Sequence, residues 1–503
     1  MRRAADLLAR NAWPLGVAAA AFTVAVGLPA SDPDMWWHLA SGRWMVEHRE
    51  LLRVDIFSST MTGSPYALGE IWGEILLYLA YLGGSWGGVA ILRAALVAVT
   101  AFAVVRAASR FASPLVAIPL SAVAIVLSKP TWTDRPQLFT LALFAILFEL
   151  LLAARGGSRR AVVASVPLLF VWSGLHAGYA LGIALLWLFA IAALIERRGA
   201  VPFLAAAVVA TVAVSLDPAA LPLTRALDHV GSATRGIVEE SPVDALSPYG
   251  ALFALVLGGT LAAFLLVGAD LLAVVVLAPL LALALSAQRH IPFFAIVAVP
   301  FVARSVVILV ERGWAPGSAP PRAPAGVGDH PSGAPLTVGW SWVKGWRSEG
   351  GGPTPVKRVS VGAPGAQPRI LLPVALWVGA IASIATADPR PDLRAYPAAA
   401  LPALRASTGV VLNEYDWGGY LIWNAPERPV FIDGRLFPFL ADDVLGGYRR
   451  AIHVLPGWRG VLDRWSVTQA LLAPDRSLTQ ALQDDGWIVR ARGDRFVLLE
   501  RPK

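Results

Sequence analysis

Residues 31–60 read SDPDMWWHLASGRWMVEHRELLRVDIFSST and place two aspartates, two tryptophans and a histidine within Asp32–His38. They follow directly on the first long apolar run, 12–30, where a helix would leave a bilayer. Titratable groups are costly at that boundary, so they are functional candidates. Asp32-Pro33 reads as a helix start, because Asp caps well and Pro suits the first helical position. Asp34 then lies in the first turn, with Trp37 and His38 three and four residues on and on its face. A carboxylate beside an imidazole, flanked by the indoles of Trp36 and Trp37, offers a general base and a sugar-binding wall. Plainer readings stand beside this one: dipole complementation for Asp34 and interface anchoring for the tryptophans.

Further constellations recur along the chain. Arg93 falls inside an apolar run, where it must snorkel or find a phosphate or carboxylate, with Glu70 and Glu74 as candidates. Asp134-Arg135 sits at a helix mouth and reads as a cap plus anchor or as a substrate contact. His176 lies in a turn between two short apolar runs, as a satisfied structural residue or as part of a site. Arg289-His290 precedes another run, at the depth where a lipid carrier presents its phosphate, and Arg binds phosphate bidentately. Glu239-Glu240 could join Asp34 and Asp32 in supplying oxygen ligands to a divalent cation such as Mg or Mn, or could be a solvated acidic loop. Asp433-Gly434-Arg435 ends a strand and reads first as a turn.

The elements that must position these residues are mostly apolar. Of 503 residues, 56% are hydrophobic and only 15% charged. A soluble domain carries about 25% charged residues, and repeated runs of about 17–20 apolar residues point to a polytopic membrane protein. The net charge of +8 fits cytosolic loops and lipid headgroups. No basic cluster has the aromatic interleaving of a nucleic-acid site. The absence of cysteine excludes disulfides and thiolate chemistry. MRRAADLLAR with the run after it resembles a secretory signal and is read as an uncleaved signal-anchor.

Eleven spans are predicted: 11–30, 86–106, 112–129, 136–154, 161–174, 178–195, 201–216, 250–267, 270–287, 291–309 and 370–386. The segment 70–83 is too short to span and reads as juxtamembrane or re-entrant. With the N-terminus inside, Arg106/Arg110, Arg155/Arg159/Arg160, Arg197/Arg198 and the basic residues of 312–369 all fall in the cytosol. The polar segments 31–69, 129–137, 173–178, 217–249 and 286–290 then share the opposite face. The predicted organisation is a transmembrane domain over 1–311, with a large first outer loop 31–85. A Gly/Pro/Ser-rich disordered cytosolic linker over 312–369 follows, then a last span at 370–386 and an outer α/β domain over 387–503. That domain should carry strands at VVLNEY, YLIW, PVFIDGR, VTQALLA, WIVRA and RFVLLER, and helices at DDVLGGYRRAIHVL and SLTQALQDD.

D-x-D-x-W-W-H-L-x-x-G and then D-x-F-S, opening the first outer loop, resemble the GT-C superfamily of polytopic glycosyltransferases, which includes protein mannosyltransferases and the aminoarabinose transferases of lipid A. Asp134-Arg135-Pro136-Gln137-Leu138, Leu175-His176-Ala177-Gly178, Glu240-Ser241-Pro242, Arg289-His290-Ile291-Pro292, and Trp417-Gly418-Gly419-Tyr420 through Phe431-Ile432-Asp433-Gly434-Arg435 look like its bacterial branch, as does Arg93 in ILRAAL. The chain departs from the family pattern at Met35, where Glu is usual, and at Gly69-Glu70-Ile71-Trp72, which lacks the family's prolines. The resemblance implies a polyprenyl-phosphate-linked sugar as donor and a glycan, lipid or protein as acceptor. It also implies that Asp34 acts as base or metal ligand, on the outer face of a bacterial inner membrane. His38 would share the catalytic site. Arg289, His290 and Arg93 would hold the donor phosphate, and Trp36, Trp37, Asp134, Arg135, His176 and Glu240 would line the substrate site. A lipid-linked glycan flippase or transporter, or an envelope assembly protein, is the alternative. A transporter favours internal repeats and mid-membrane charges, whereas here no repeat stands out and the charges gather at one face.

Overall fold

The fold is taken from a computed structural model, which describes residues 8–66, 69–231, 238–312 and 366–502. Helices occupy each apolar run: α1 (Ala12–Val26), α3 (Ile71–Ala108), α4 (Pro114–Leu127), α5 (Gln137–Arg155), α6 (Arg159–Leu175), α7 (Tyr179–Ile195), α8 (Ala200–Ser215), α10 (Pro248–Val267), α11 (Leu271–Ser286), α12 (Ile291–Glu311) and α13 (Ala366–Ile384). The shorter α2 (Met35–His48) and α9 (Leu223–Gly231) lie between them. This is the architecture of a multi-pass membrane protein. Among the described residues, four helices, Ile71–Ala108, Gln137–Arg155, Pro248–Val267 and Gln288–Glu311, are long and apolar enough to cross a bilayer by themselves; most of the others are shorter apolar helices. The expected count of eleven spans is therefore not settled by helix length.

Helix α3 breaks at Gly84 and Ser85, whose backbone is non-helical. The break separates 71–83 from the apolar segment after it, as the short 70–83 run requires. Prolines sit inside α4, α6, α11, α12 and α13 (Pro119, Pro167, Pro279, Pro300 and Pro373). Neighbouring helices can re-satisfy the freed carbonyls of apolar spans. The core runs through α12, with Ile291, Phe294, Ala295 and Val297 buried against α4, α10 and α11.

Helix α2 packs on α3 and touches it closely. A Cβ at Gly42 would lie 2.2 Å from the Glu74 carbonyl oxygen, so only glycine lets the two backbones meet there. That contact carries His38 to Glu70 and Glu74.

The C-terminal region forms a four-stranded sheet of order β1-β2-β4-β3, from Val410–Asn413, Val467–Leu472, Ile488–Arg492 (β3) and Val497–Glu500 (β4). β1 and β2 are parallel; β4 is antiparallel to both β2 and β3. Helices Val444–Ile452 and Ser477–Asp484 cover it. Two of the expected strands are not strands. YLIW lies in the helix Gly418–Asn424, which packs on α2, where Gly419 would bring a Cβ to 3.0 Å from the Pro33 carbonyl oxygen. In PVFIDGR only Val430 bridges, to Ser58 and Val411. The backbone beyond it is bonded instead by the Asn413 side chain, which accepts from Phe431 N and donates to Ile432 O. These bridges join the sheet to the segment between α2 and α3. Most of the predicted linker, 313–365, lies outside the described residues.

Candidate active site

A cavity of about 880 Å³ opens between the helices and the C-terminal domain. Asp34, Trp37, His38, Arg135, His176, Glu240, Arg289 and His290 line it, with Asp32. These residues are far apart in sequence and come from the start of α2, the 129–137 segment, the α6–α7 turn, the short helical turn before α10 that carries Glu240, and the segment leading into α12. Arg93, Asp134 and Trp36 do not line it. Arg93 and Asp134 form a buried pair, Nη1 to Oδ1 2.8 Å, both 2% exposed, and Arg93 also donates to the backbone oxygens of Ala25 and Leu28. The charge that had to be met inside an apolar helix is met by Asp134, not by Glu70, Glu74 or a phosphate. Trp36 packs edge-on against Trp86, Tyr396 and Tyr420, and so joins α2 to the C-terminal domain.

Asp34 precedes α2 and makes no side-chain cap, whereas the Asp32 carboxylate accepts the Asp34 N–H at 2.9 Å. Arg135 is the hub of the wall. Its Nη1 lies 2.8 Å from Asp34, its Nε 2.9 Å from Asp32, and its Nη2 2.9 Å from both Glu239 and Gln137. One guanidinium therefore faces three carboxylates. Burial raises the Asp34 carboxyl to about 7, Arg135 pulls it down, and Asp32 pushes it up. A carboxyl titrating there can take a proton from a hydroxyl near neutral pH and later release it.

Beneath Asp34, His38 Nδ1 lies 3.3 Å from Glu74 and 3.4 Å from Glu70. Burial lowers the His38 pKa to about 3 despite Glu70, so the ring is neutral. It serves as a hydrogen-bond donor to carboxylates, a poorer base than Asp34. Tyr66 donates to Glu74 at 2.9 Å and meets Ser41 at 2.7 Å. His176 Nδ1 accepts the Gly178 N–H at 2.8 Å, which leaves the proton on Nε2, 3.1 Å from Glu70. Arg289 holds Glu240 at 2.6 Å, and His290 Nε2 meets the Val230 carbonyl at 3.0 Å.

The expected metal ligands Asp32 and Asp34 do not fit a cation as they stand, because the Arg135 guanidinium already fills the position between them. His38, Glu70 and Glu74 fit better. Their ligand atoms lie within 4.8 Å of one another, and Glu74 Oε2 is buried with no hydrogen-bond partner. Carboxylate oxygens with one imidazole suit a divalent ion.

The C-terminal domain completes the cavity with Tyr415, Asp416 and the segment Gly434–Pro438. Arg435 is fully buried between Asp433 and Asp55, each at 2.5 Å, and pins that segment to the stretch between α2 and α3. At Gly434 a Cβ would come to 1.7 Å from the Asp34 carboxylate. Sequence reasoning missed this contact, the roles of Asp55 and Tyr66, and the place of Arg225 and Asp228 on the cavity wall. The one visible signal was the Asp-Gly-Arg triplet, where a glycine between opposite charges permits close approach.

No protein-family model matches the sequence, and no curated protein is significantly similar to it. Solved structures share the architecture. The oligosaccharyltransferase of Archaeoglobus fulgidus in the apo form superposes with a TM-score of 0.55 at 11% identity, over 92% of this chain and 69% of that one. The A. fulgidus oligosaccharyltransferase AglB in complex with an inhibitory peptide and a dolichol-phosphate gives 0.54 at 12% identity, with the same coverage. ArnT of Cupriavidus metallidurans in the apo state gives 0.50 at 15% identity, over 97% of this chain and 96% of that one. The buried Arg93–Asp134 pair and the Asp34 wall thus stand in a chain that shares the fold of these AglB and ArnT structures.

Proposed function

We propose that this chain is a membrane glycosyltransferase that moves a sugar from a polyprenyl-phosphate donor to an acceptor on the extracytoplasmic face. The observation that carries the reading is Asp34. Its carboxyl lies on the wall of a cavity that also holds Arg289, and it titrates near neutrality. AglB, which shares the fold, binds a dolichol-phosphate.

In the proposed reaction the acceptor oxygen attacks the anomeric carbon from the side opposite the phosphate. The new glycosidic C–O bond forms as the bond from that carbon to the phosphate oxygen breaks. The acceptor proton passes to Asp34, and the phosphate leaves on its lipid. Arg289 offsets the charge that grows on the leaving group, where a preorganised cation in a dry site contributes most. Trp37 and His176 shape the sugar pocket, and His38 with Glu70 and Glu74 sets the floor. A divalent cation held by those three residues would supply further positive charge to an anion in the cavity.

Asp34→Asn tests this. The variant keeps size but removes the base, so transfer should fall by about two or more orders of magnitude with folding and donor binding retained. Full transfer activity in Asp34→Asn would remove Asp34 as the base. The orientation follows from the basic loops assigned to the cytosol. In intact cells, cysteines at Glu50 and Asp475, both exposed, should react with an impermeant thiol reagent, and one at Ser348 should not. The reverse pattern would invert the topology.

A further inference from the structure

We propose that Arg225 is a phosphate-binding residue that grips the carrier phosphate of the donor together with Arg289. The inference rests on the glycosyl-transfer reading above and adds a residue to it.

Among the described residues, four arginines line the cavity: Arg135, Arg225, Arg289 and Arg435. Three of them are already matched by carboxylates. Arg135 faces Asp32, Asp34 and Glu239; Arg289 holds Glu240; Arg435 is enclosed by Asp55 and Asp433. Among the described residues, Arg225 is the cavity arginine with no ion pair and no hydrogen bond. The rest of the wall is rich in carboxylates, with Glu70, Asp228 and Asp416 added to those above. An anion entering such a cavity is repelled almost everywhere. It is held best where an unmatched cation stands beside a matched one, because a guanidinium already paired with a carboxylate, as Arg289 is with Glu240, offers a weaker field alone.

The placement of α9 brings that cation to the expected phosphate corner. Arg225 stands near its start and Val230 near its end. The Val230 carbonyl accepts from His290 at 3.0 Å, which ties the end of α9 to Arg289-His290. Five residues of helix advance about 7.5 Å, so Arg225 is rooted about one and a half turns from that tie. Asp228 faces the same cavity and forms no ion pair with Arg225 within 4.0 Å. A guanidinium offers paired donors that match two phosphate oxygens, which a carbonyl or hydroxyl ligand would not need. The helix also packs on α7, so the residue is held on structured backbone.

The test is direct binding to the full chain in lipid nanodiscs. The probes are undecaprenyl phosphate, undecaprenol and inorganic phosphate, and the proteins are wild type, Arg225→Gln, Arg225→Lys and Arg289→Gln. Arg225→Gln should weaken undecaprenyl phosphate binding by about tenfold or more, the scale of a charged hydrogen-bond pair. Arg225→Lys should recover part of that loss, and undecaprenol should bind all four proteins alike. Arg225 is exposed on its helix, so the variants should melt as wild type does. If Arg225→Gln binds undecaprenyl phosphate as tightly as wild type while Arg289→Gln does not, the Arg225 assignment fails and the functional reading stands. If wild type does not prefer undecaprenyl phosphate to undecaprenol, both fail. Displacement of undecaprenyl phosphate by an equal concentration of inorganic phosphate would overturn the assignment to a lipid carrier.

Discussion

Asp134 and Arg135 are neighbours in the chain, yet they belong to different parts of the molecule. Asp134 turns inward to Arg93, one carboxylate to one guanidinium, both nearly inaccessible. Arg135 turns to the cavity, where a single guanidinium serves Asp32, Asp34 and Glu239. The first pair is closed off from the cavity, so its charges meet no substrate there. In the second, burial raises Asp34 to about 7, with Asp32 adding to the shift and Arg135 opposing it. The same two residue types thus make a structural clamp in one place and, in the proposed reaction, a base in the other. Burial raises both carboxyls, Asp134 to about 6 and Asp34 to about 7, with a guanidinium 2.8 Å from each; what separates them is that Asp34 lines the cavity and Asp134 does not.

The largest effect should come from breaking the closed pair. Arg93→Gln leaves Asp134 buried with its charge uncompensated, which typically costs about 3–5 kcal/mol. Thermal unfolding in nanodiscs should show a large loss of stability. The double variant Arg93→Leu/Asp134→Leu should regain most of it, because a paired apolar replacement leaves no orphan charge. If the double variant is as unstable as the single one, packing and not charge explains the clamp.

A smaller effect is expected at the contact between the domains. Gly434→Ala would drive a methyl group into the Asp34 carboxylate. Overpacking of that kind costs about 1–3 kcal/mol, and here it displaces the proposed proton acceptor. Transfer should fall by about ten- to a hundredfold, the kinetic equivalent of that cost. Gly419→Ala, which meets Pro33 at 3.0 Å, is the milder reference. Equal activity in the two variants would mean that the C-terminal wall does not set Asp34.

Much of this was legible in the sequence, and the reasons differ by feature. The helices follow apolar runs, and the break in α3 follows from a run too short to span. Asp34, His38, Arg135, His176, Glu240 and Arg289 stood out because titratable groups at helix mouths are costly and therefore few. The cavity they share could not be read, because residues such as Asp34 and Arg289 meet only through tertiary packing. Arg93 and Asp134 looked like site residues for the same reason of cost. Their pairing, which removes them from the cavity, depends on the depth at which α3 and the 129–137 segment face each other. YLIW is rich in strand-forming residues, yet packing against α2 makes it helical, with two glycines before it allowing the close fit. Arg225 drew no notice, since an arginine on a polar amphipathic helix is ordinary. Its interest comes from the absence of a partner, which only the fold reveals.

The central claim is that Asp34 takes the acceptor proton, and the pH dependence of transfer tests it most directly. Only the charged carboxylate accepts a proton, so transfer should rise with pH through about 7 in the wild type. Asp32 raises the Asp34 pKa and Arg135 lowers it. Asp32→Asn should therefore move the acid limb to lower pH, and Arg135→Gln should move it to higher pH. Opposite displacements from two contacts of the same carboxyl are the predicted result. A limb that stays in place in both variants, or moves the same way in both, would contradict the assignment of Asp34 as the base.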